Sequence, residues 1–178
     1  MRPGVEEMKM KTMALIGVAV VVLFCAGLIA NVNNINKLPD PTPTPAETAA
    51  PKEKKSLAPV VAKMFDSSLG EAFGNNYTTE LDLENGVFRV NTWADDTDSK
   101  FIEDAKNGGD ALKVWEATVD RVIYVTSTMQ STFDETCEDP ITVVTSICDP
   151  INHELPYLTV ANGVAGYNVV NGVDLLNK

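Results

Sequence analysis

Histidine is almost missing from this chain: His153 is the only one in 178 residues. A metal centre built on imidazoles therefore has at most one such ligand. The stretch HEL at 153–155 starts an H-E-x-x-H zinc motif but does not finish it, because Tyr157 stands where the second histidine belongs. Arginine is lacking beyond Arg121, which removes the third member from a cysteine transpeptidase built on Cys148 and His153. No serine has a lysine three places on, so the S-x-x-K nucleophile is absent. Glycine-rich phosphate loops, G-x-G-x-x-G or P-loop, are absent too. These gaps exclude most sequence-legible enzyme classes, and no cofactor is expected.

Basic residues are scarce in one part of the chain. Residues 1–55 hold seven Lys/Arg against five Asp/Glu, whereas residues 56–178 hold seven against twenty, a net charge of -13. Such a surface repels phosphate backbones, which nucleic-acid binders must meet with clustered cations. No nucleic-acid partner is expected. Asp95, Asp96 and Asp98 crowd together, but an EF-hand counted from Asp96 would put Lys100 at position 5, Phe101 at position 6 and Asn107 at position 12. A helix-capping turn fits them better.

What the sequence does have is one long apolar run. From Met13 to Ala30 eighteen residues pass without a charge, about 27 Å as a helix against a hydrocarbon core of about 30 Å. Arg2, Lys9 and Lys11 precede it, so residues 1–12 read as a cytoplasmic n-region under the positive-inside tendency. Phe24 before Cys25 is too large for lipoprotein processing. An uncleaved transmembrane anchor is the expectation. The alternative is a cleaved signal peptide, with MKMKT from Met8 as its basic start and LIA before Asn31 as its end. Either way the C-terminal part is exported, as a single-pass cell-membrane protein or as a secreted one.

Residues 31–55 carry prolines at 39, 41, 43, 45 and 51, a composition that favours an extended, flexible stalk. Residues 56–178 read as one α+β domain. Ser56 is placed to N-cap an amphipathic helix whose apolar positions are Leu57, Val61, Met64, Phe65, Leu69 and Phe73. Asn85-Gly86 suits a two-residue type I′ hairpin pairing Leu83 with Phe88, Leu81 with Val90 and Asp82 with Arg89. A short helix is expected from about Ser99 to Gly108. Asp110 can cap a long helix whose stripe runs through Leu112, Trp115, Val119, Val122, Thr126, Met129 and Phe133. PITVVTSIC reads as a strand. A second hairpin turns at Asn162-Gly163, with Leu158 facing Tyr167 and Val160 facing Ala165. The likeness of LDLENGV to LTVANGV suggests an internal αββ duplication.

The order α-β-β-α-β-β-β implies two layers: an antiparallel sheet of four to five strands covered by the long helix, plus the N-terminal helix. Cys137 and Cys148 could bridge in an exported domain, although a strand over 141–147, roughly 20 Å long, would hold them apart. Asn76-Tyr77-Thr78 matches a glycosylation sequon. Trp93 and Tyr157, near strand ends, are the expected exposed contact residues. The function these features favour is non-catalytic binding of a protein or cell-envelope component by a membrane-tethered module. The alternative is a small exported hydrolase using paired carboxylates.

Overall fold

The computed structural model describes residues 56–175. The expected anchor (13–30) and stalk (31–55) lie outside the described residues, and within residues 56–175 no helix is long and apolar enough to cross a membrane. The chain runs α1 (Ala58–Phe73), β1 (Tyr77–Asp82), β2 (Val87–Thr92), α2 (Ser99–Lys106), α3 (Gly109–Thr136), β3 (Thr142–Cys148), β4 (Pro156–Ala161), β5 (Val164–Asn168) and β6 (Val173–Asp174).

The α+β expectation holds, but the sheet is larger and mixed. Six strands lie side by side in chain order, and β2 pairs with β3 in parallel. The cause is the connection. α2 and α3 carry the chain from the end of β2 back to its start, so β3 begins at the same end as β2 and must run the same way. The sixth strand is the two-residue β6, which pairs Tyr167 with Asp174 and Asn168 with Val173.

The first hairpin is offset from its expected register by two residues. Leu81 faces Phe88 and Thr79 faces Val90, so residues 83–86 form a four-residue loop. Asp82 makes that loop: its carboxylate accepts from the Asn85 backbone N–H (3.1 Å) and from Asn85 Nδ2 (2.7 Å). An even offset leaves each side chain on its original face. Phe88 and Val90 therefore stay inside, while Leu83 is left 52 % exposed. Arg89 still lies 3.9 Å from Asp82, now diagonally, and 3.8 Å from Glu80 opposite it. The second hairpin does turn on two residues, Asn162 (φ 50°) and Gly163 (φ 73°), with Val160 facing Ala165. A bulge at Gly166 moves Asn168, rather than Tyr167, opposite Leu158. The αββ duplication is not seen: β4–β5 is separated from α3 by β3.

All three helices cover one face of the sheet. Phe65 from α1, Phe88 from β2 and Phe133 from α3 meet with ring centroids 5.4–6.2 Å apart, in a cluster with Val61, Leu69, Met129 and Val143. At the other end of α3, Trp115 packs on Ile102, Leu158 and Val160. The expected stripe on α3 spans both clusters, about 32 Å of helix, with Trp115, Thr126, Met129 and Phe133 buried. Trp115 Nε1 donates to Asn168 Oδ1 at 3.0 Å, tying the helix to the end of β5.

Two caps differ from expectation. Leu57 is the N-cap of α1, with Ser56 Oγ accepting from Ala58 N at 3.3 Å. Gly108 caps α3, and Asp110 pairs with Lys113 in its first turn. Asp98 caps α2, accepting from Phe101 N at 2.7 Å, which accounts for part of the 95–98 acidic run.

Candidate interaction site at the carboxyl ends of β2 and β3

In open sheets with parallel strands, the region beyond the carboxyl ends of those strands is the usual place for a site. Here β2 ends at Thr92 and delivers Trp93. Next to it β3 ends at Cys148 and delivers Asp149, which opens a loop over residues 149–155 that leads into β4. Asp-Pro with Asn two places beyond is strong turn chemistry, because a short acceptor side chain can bind backbone N–H groups two and three residues on.

Asp149 does this fully. Its Oδ1 accepts from Ile151 N and from Asn152 N, both at 2.7 Å, and its Oδ2 accepts from the Tyr157 hydroxyl. The base of the loop is closed by Asp149 N–H donating to the Leu155 carbonyl (2.9 Å), and its tip by Leu155 N–H donating to Asn152 (2.9 Å). On top, the His153 ring stacks on the Trp93 indole, centroids 3.7 Å apart and planes 15° from parallel. His153 Nε2 also lies 3.0 Å from the Pro150 carbonyl oxygen. Trp93 is itself anchored by its backbone N–H, which donates to Asn76 at 3.1 Å.

The polar groups of this cluster are spent on holding the loop. The Tyr157 hydroxyl bond is the main cause that keeps the Asp149 carboxyl below the usual range, helped by the two backbone N–H groups. Burial, then the Asp149 bond, pushes the Tyr157 phenol up to about 12. A catalytic acid needs its pKa raised toward neutrality, and Asp149 moves the other way. Asp82, the other acid in a multiply bonded turn, is lowered too, first by its bond to the Asn85 side chain.

The two expected contact residues are brought into one place, and they differ in exposure. Trp93 is half-buried under His153. Tyr157 is not exposed: it is 6 % accessible, because its ring fills the core beside Trp115 and its hydroxyl reaches Asp149. The exposed apolar groups of the loop are instead Ile151, at 93 %, and Leu155, at 48 %. A lone isoleucine among turn-forming residues was the available signal for them.

The Cys137–Cys148 bridge is not formed in the structure, and both thiols are free. They cap opposite events: Cys137 ends α3, whereas Cys148 closes β3. Burial raises both, Cys148 to about 11, which leaves it a poor nucleophile at neutral pH. Among the described residues no group of His, Cys, Asp or Glu is placed to hold a metal ion.

An open groove of about 520 Å³ lies between α3 and the start of β3. Its central polar group is already used. Gln130 Nε2 donates to the Ile141 carbonyl (2.6 Å), and Gln130 Oε1 accepts from Val143 N (2.8 Å). The side chain stands in for backbone that β4 does not supply, since β4 pairs with β3 only from Val144 onward. The groove is therefore part of the fold.

Comparison with known proteins returned no matching family model, no matching curated protein and no matching solved structure.

Proposed function

We propose that residues 56–178 form a non-catalytic extracytoplasmic module that binds a protein or a cell-envelope component through the 149–155 loop and Trp93. The segment from Met13 to Ala30 holds it at the membrane with the N-terminus cytoplasmic, or releases it if that segment is cleaved as a signal. The sequence layout of apolar run, proline-rich stretch and acidic domain supports the placement.

One observation carries the binding reading. A carboxylate with three donors and a stacked Trp93–His153 pair stiffen a loop that holds Ile151 and Leu155 out in solvent beside Asn152, His153 and Glu154. A preorganised loop loses little entropy on docking, and an isoleucine 93 % exposed gains by being covered. The paired-carboxylate hydrolase draws no comparable support, since Asp149 and Asp82 are both lowered.

The test is a photo-crosslinking residue placed at Ile151 in the full chain in its native membrane, with Glu116, exposed on α3, as the comparison. The reading expects one dominant adduct from position 151 and none of that mass from position 116. The same adducts from both positions, or none, would remove it. Added protease that failed to reach residues 56–178 from outside intact, wall-stripped cells would remove the placement.

A further inference from the structure

The sheet ends at β1, which pairs only with β2 among the described residues. The groups it presents can be worked out. Beyond the last registered pair, Tyr77 with Thr92, Trp93 N–H donates to the Asn76 carbonyl at 3.1 Å. Antiparallel pairs alternate between bonded and non-bonded, so Thr78, Glu80 and Asp82 exchange their bonds with β2. Tyr77, Thr79 and Leu81 then turn their backbone N–H and C=O groups outward.

Natural edges are usually blunted by proline, lysine, a bulge or a covering element. β1 has no proline, lysine or bulge: its six residues, YTTELD, pair with β2 without a break in register, and its only edge charges are the carboxylates Glu80 and Asp82. The opposite edge, β6, is two residues long and offers no comparable template. What surrounds the β1 edge is acid. Glu80 and Asp82 share Arg89, at 3.8 and 3.9 Å, and the Asp66 carboxylate of α1 reaches the strand by accepting from Thr79 Oγ1 at 2.7 Å. A second copy is disfavoured, because it would bring a like set of carboxylates and another net -13 to the same line.

We propose that the β1 edge is a docking site for an extended, lysine- or arginine-bearing peptide segment, which adds to the sheet as a seventh strand. Main-chain bonds to Tyr77, Thr79 and Leu81 supply the pairing. Alternate cationic side chains meet Glu80 and Asp82 on one face or Asp66 on the other. This surface is separate from the 149–155 loop, so failure of either reading leaves the other standing.

The test uses the full chain in detergent micelles and three synthetic heptapeptides. One alternates lysine with threonine, one carries glutamate for lysine, and one is the lysine peptide N-methylated at alternate residues. The lysine peptide is expected to slow deuterium exchange at residues 77–82. The other two should bind at least tenfold more weakly. Thr79→Pro removes an outward N–H without touching the β2 ladder and should also weaken binding at least tenfold, whereas Thr79→Val, which keeps that N–H, should stay within threefold. Equal binding of the N-methylated peptide, no slowing at residues 77–82, or self-association of the chain that Thr79→Pro abolishes would each overturn the proposal. The peptide comparison stands even if Thr79→Pro does not fold.

Discussion

LDLENGV and LTVANGV both carry Asn-Gly between two strands, yet the first makes a four-residue loop and the second a two-residue turn. The difference lies three residues before the asparagine. Asp82 has a carboxylate free to bracket Asn85, and only Gly86 of that loop takes a positive φ, +63°. At the matching position in the second hairpin, Thr159 Oγ1 is engaged with Ser146 Oγ at 3.2 Å. With no bracketing acceptor there, Asn162 and Gly163 adopt the two positive φ values that a type I′ turn requires. A turn dipeptide is thus a weaker instruction than the acceptors around it.

The two turns are also held by different partners, and glycine substitutions separate them. At Gly86 an added Cβ would sit 2.6 Å from the Pro140 carbonyl oxygen, and Gly86 O accepts from Thr142 N at 2.7 Å. Backbone on both sides cannot step aside. Gly86→Ala should cost about 3 kcal/mol or more, combining a left-handed alanine with an overpacked contact. Its urea midpoint should fall with the slope unchanged. At Gly163 the obstacle is Ser127 Oγ at 2.5 Å, the end of a side chain. Gly163→Ala should therefore cost less, about 1–2 kcal/mol beyond whatever the serine contact adds. Ser127→Ala in the same chain should restore the contact part. If Gly163→Ala proved as costly as Gly86→Ala, and Ser127→Ala restored nothing, the backbone-versus-side-chain distinction would fail.

This contrast explains how much of the fold was readable in advance. The inward faces of β2 and α3 were legible because they rest on period alone: Phe88, Val90, Trp115, Met129 and Phe133 are all buried. The parallel β2–β3 pairing was not, since it depends on where a crossover returns rather than on any residue in either strand. The same holds at the candidate site. Trp93 was picked out as an aromatic near a strand end. Its stacking on His153, sixty positions along, follows only once β2 and β3 run side by side. Tyr157 was misjudged because a polar tip beside turn residues looks exposed. Its acceptor, Asp149, comes within reach only when the intervening loop folds back.

The strand beyond the second turn depends on a single amide. Asn168 Oδ1 accepts from Trp115 Nε1 at 3.0 Å, from Val170 N at 3.1 Å and from Asn171 N at 3.4 Å, with Trp115 fully buried. Removing the acceptor strands a buried indole N–H, so Asn168→Ala should cost about 2–3 kcal/mol in thermal or urea unfolding. The first hairpin is tied to α1 instead, where the Tyr77 hydroxyl and Thr79 Oγ1 donate to Asp66, but those bonds are only partly buried. If Asn168→Ala were neutral, the β5–β6 end would be held by packing alone, and the two hairpins would be more alike than their bonds suggest.

The smallest expected effect is also the sharpest on register. Leu83 would oppose Phe88 on the buried face if Asn85-Gly86 formed a two-residue turn, and a lysine there would force a charge toward the Phe65–Phe88–Phe133 cluster. With Leu81 opposite Phe88 instead, Leu83 lies in the loop, 52 % exposed. Leu83→Lys should therefore change stability by no more than about 0.5 kcal/mol, the range of ordinary surface substitutions. Leu81→Lys, in the same assay, should be clearly destabilising, because Leu81 packs against that cluster. A large loss from Leu83→Lys together with a small one from Leu81→Lys would restore the two-residue turn and erase the difference between the hairpins.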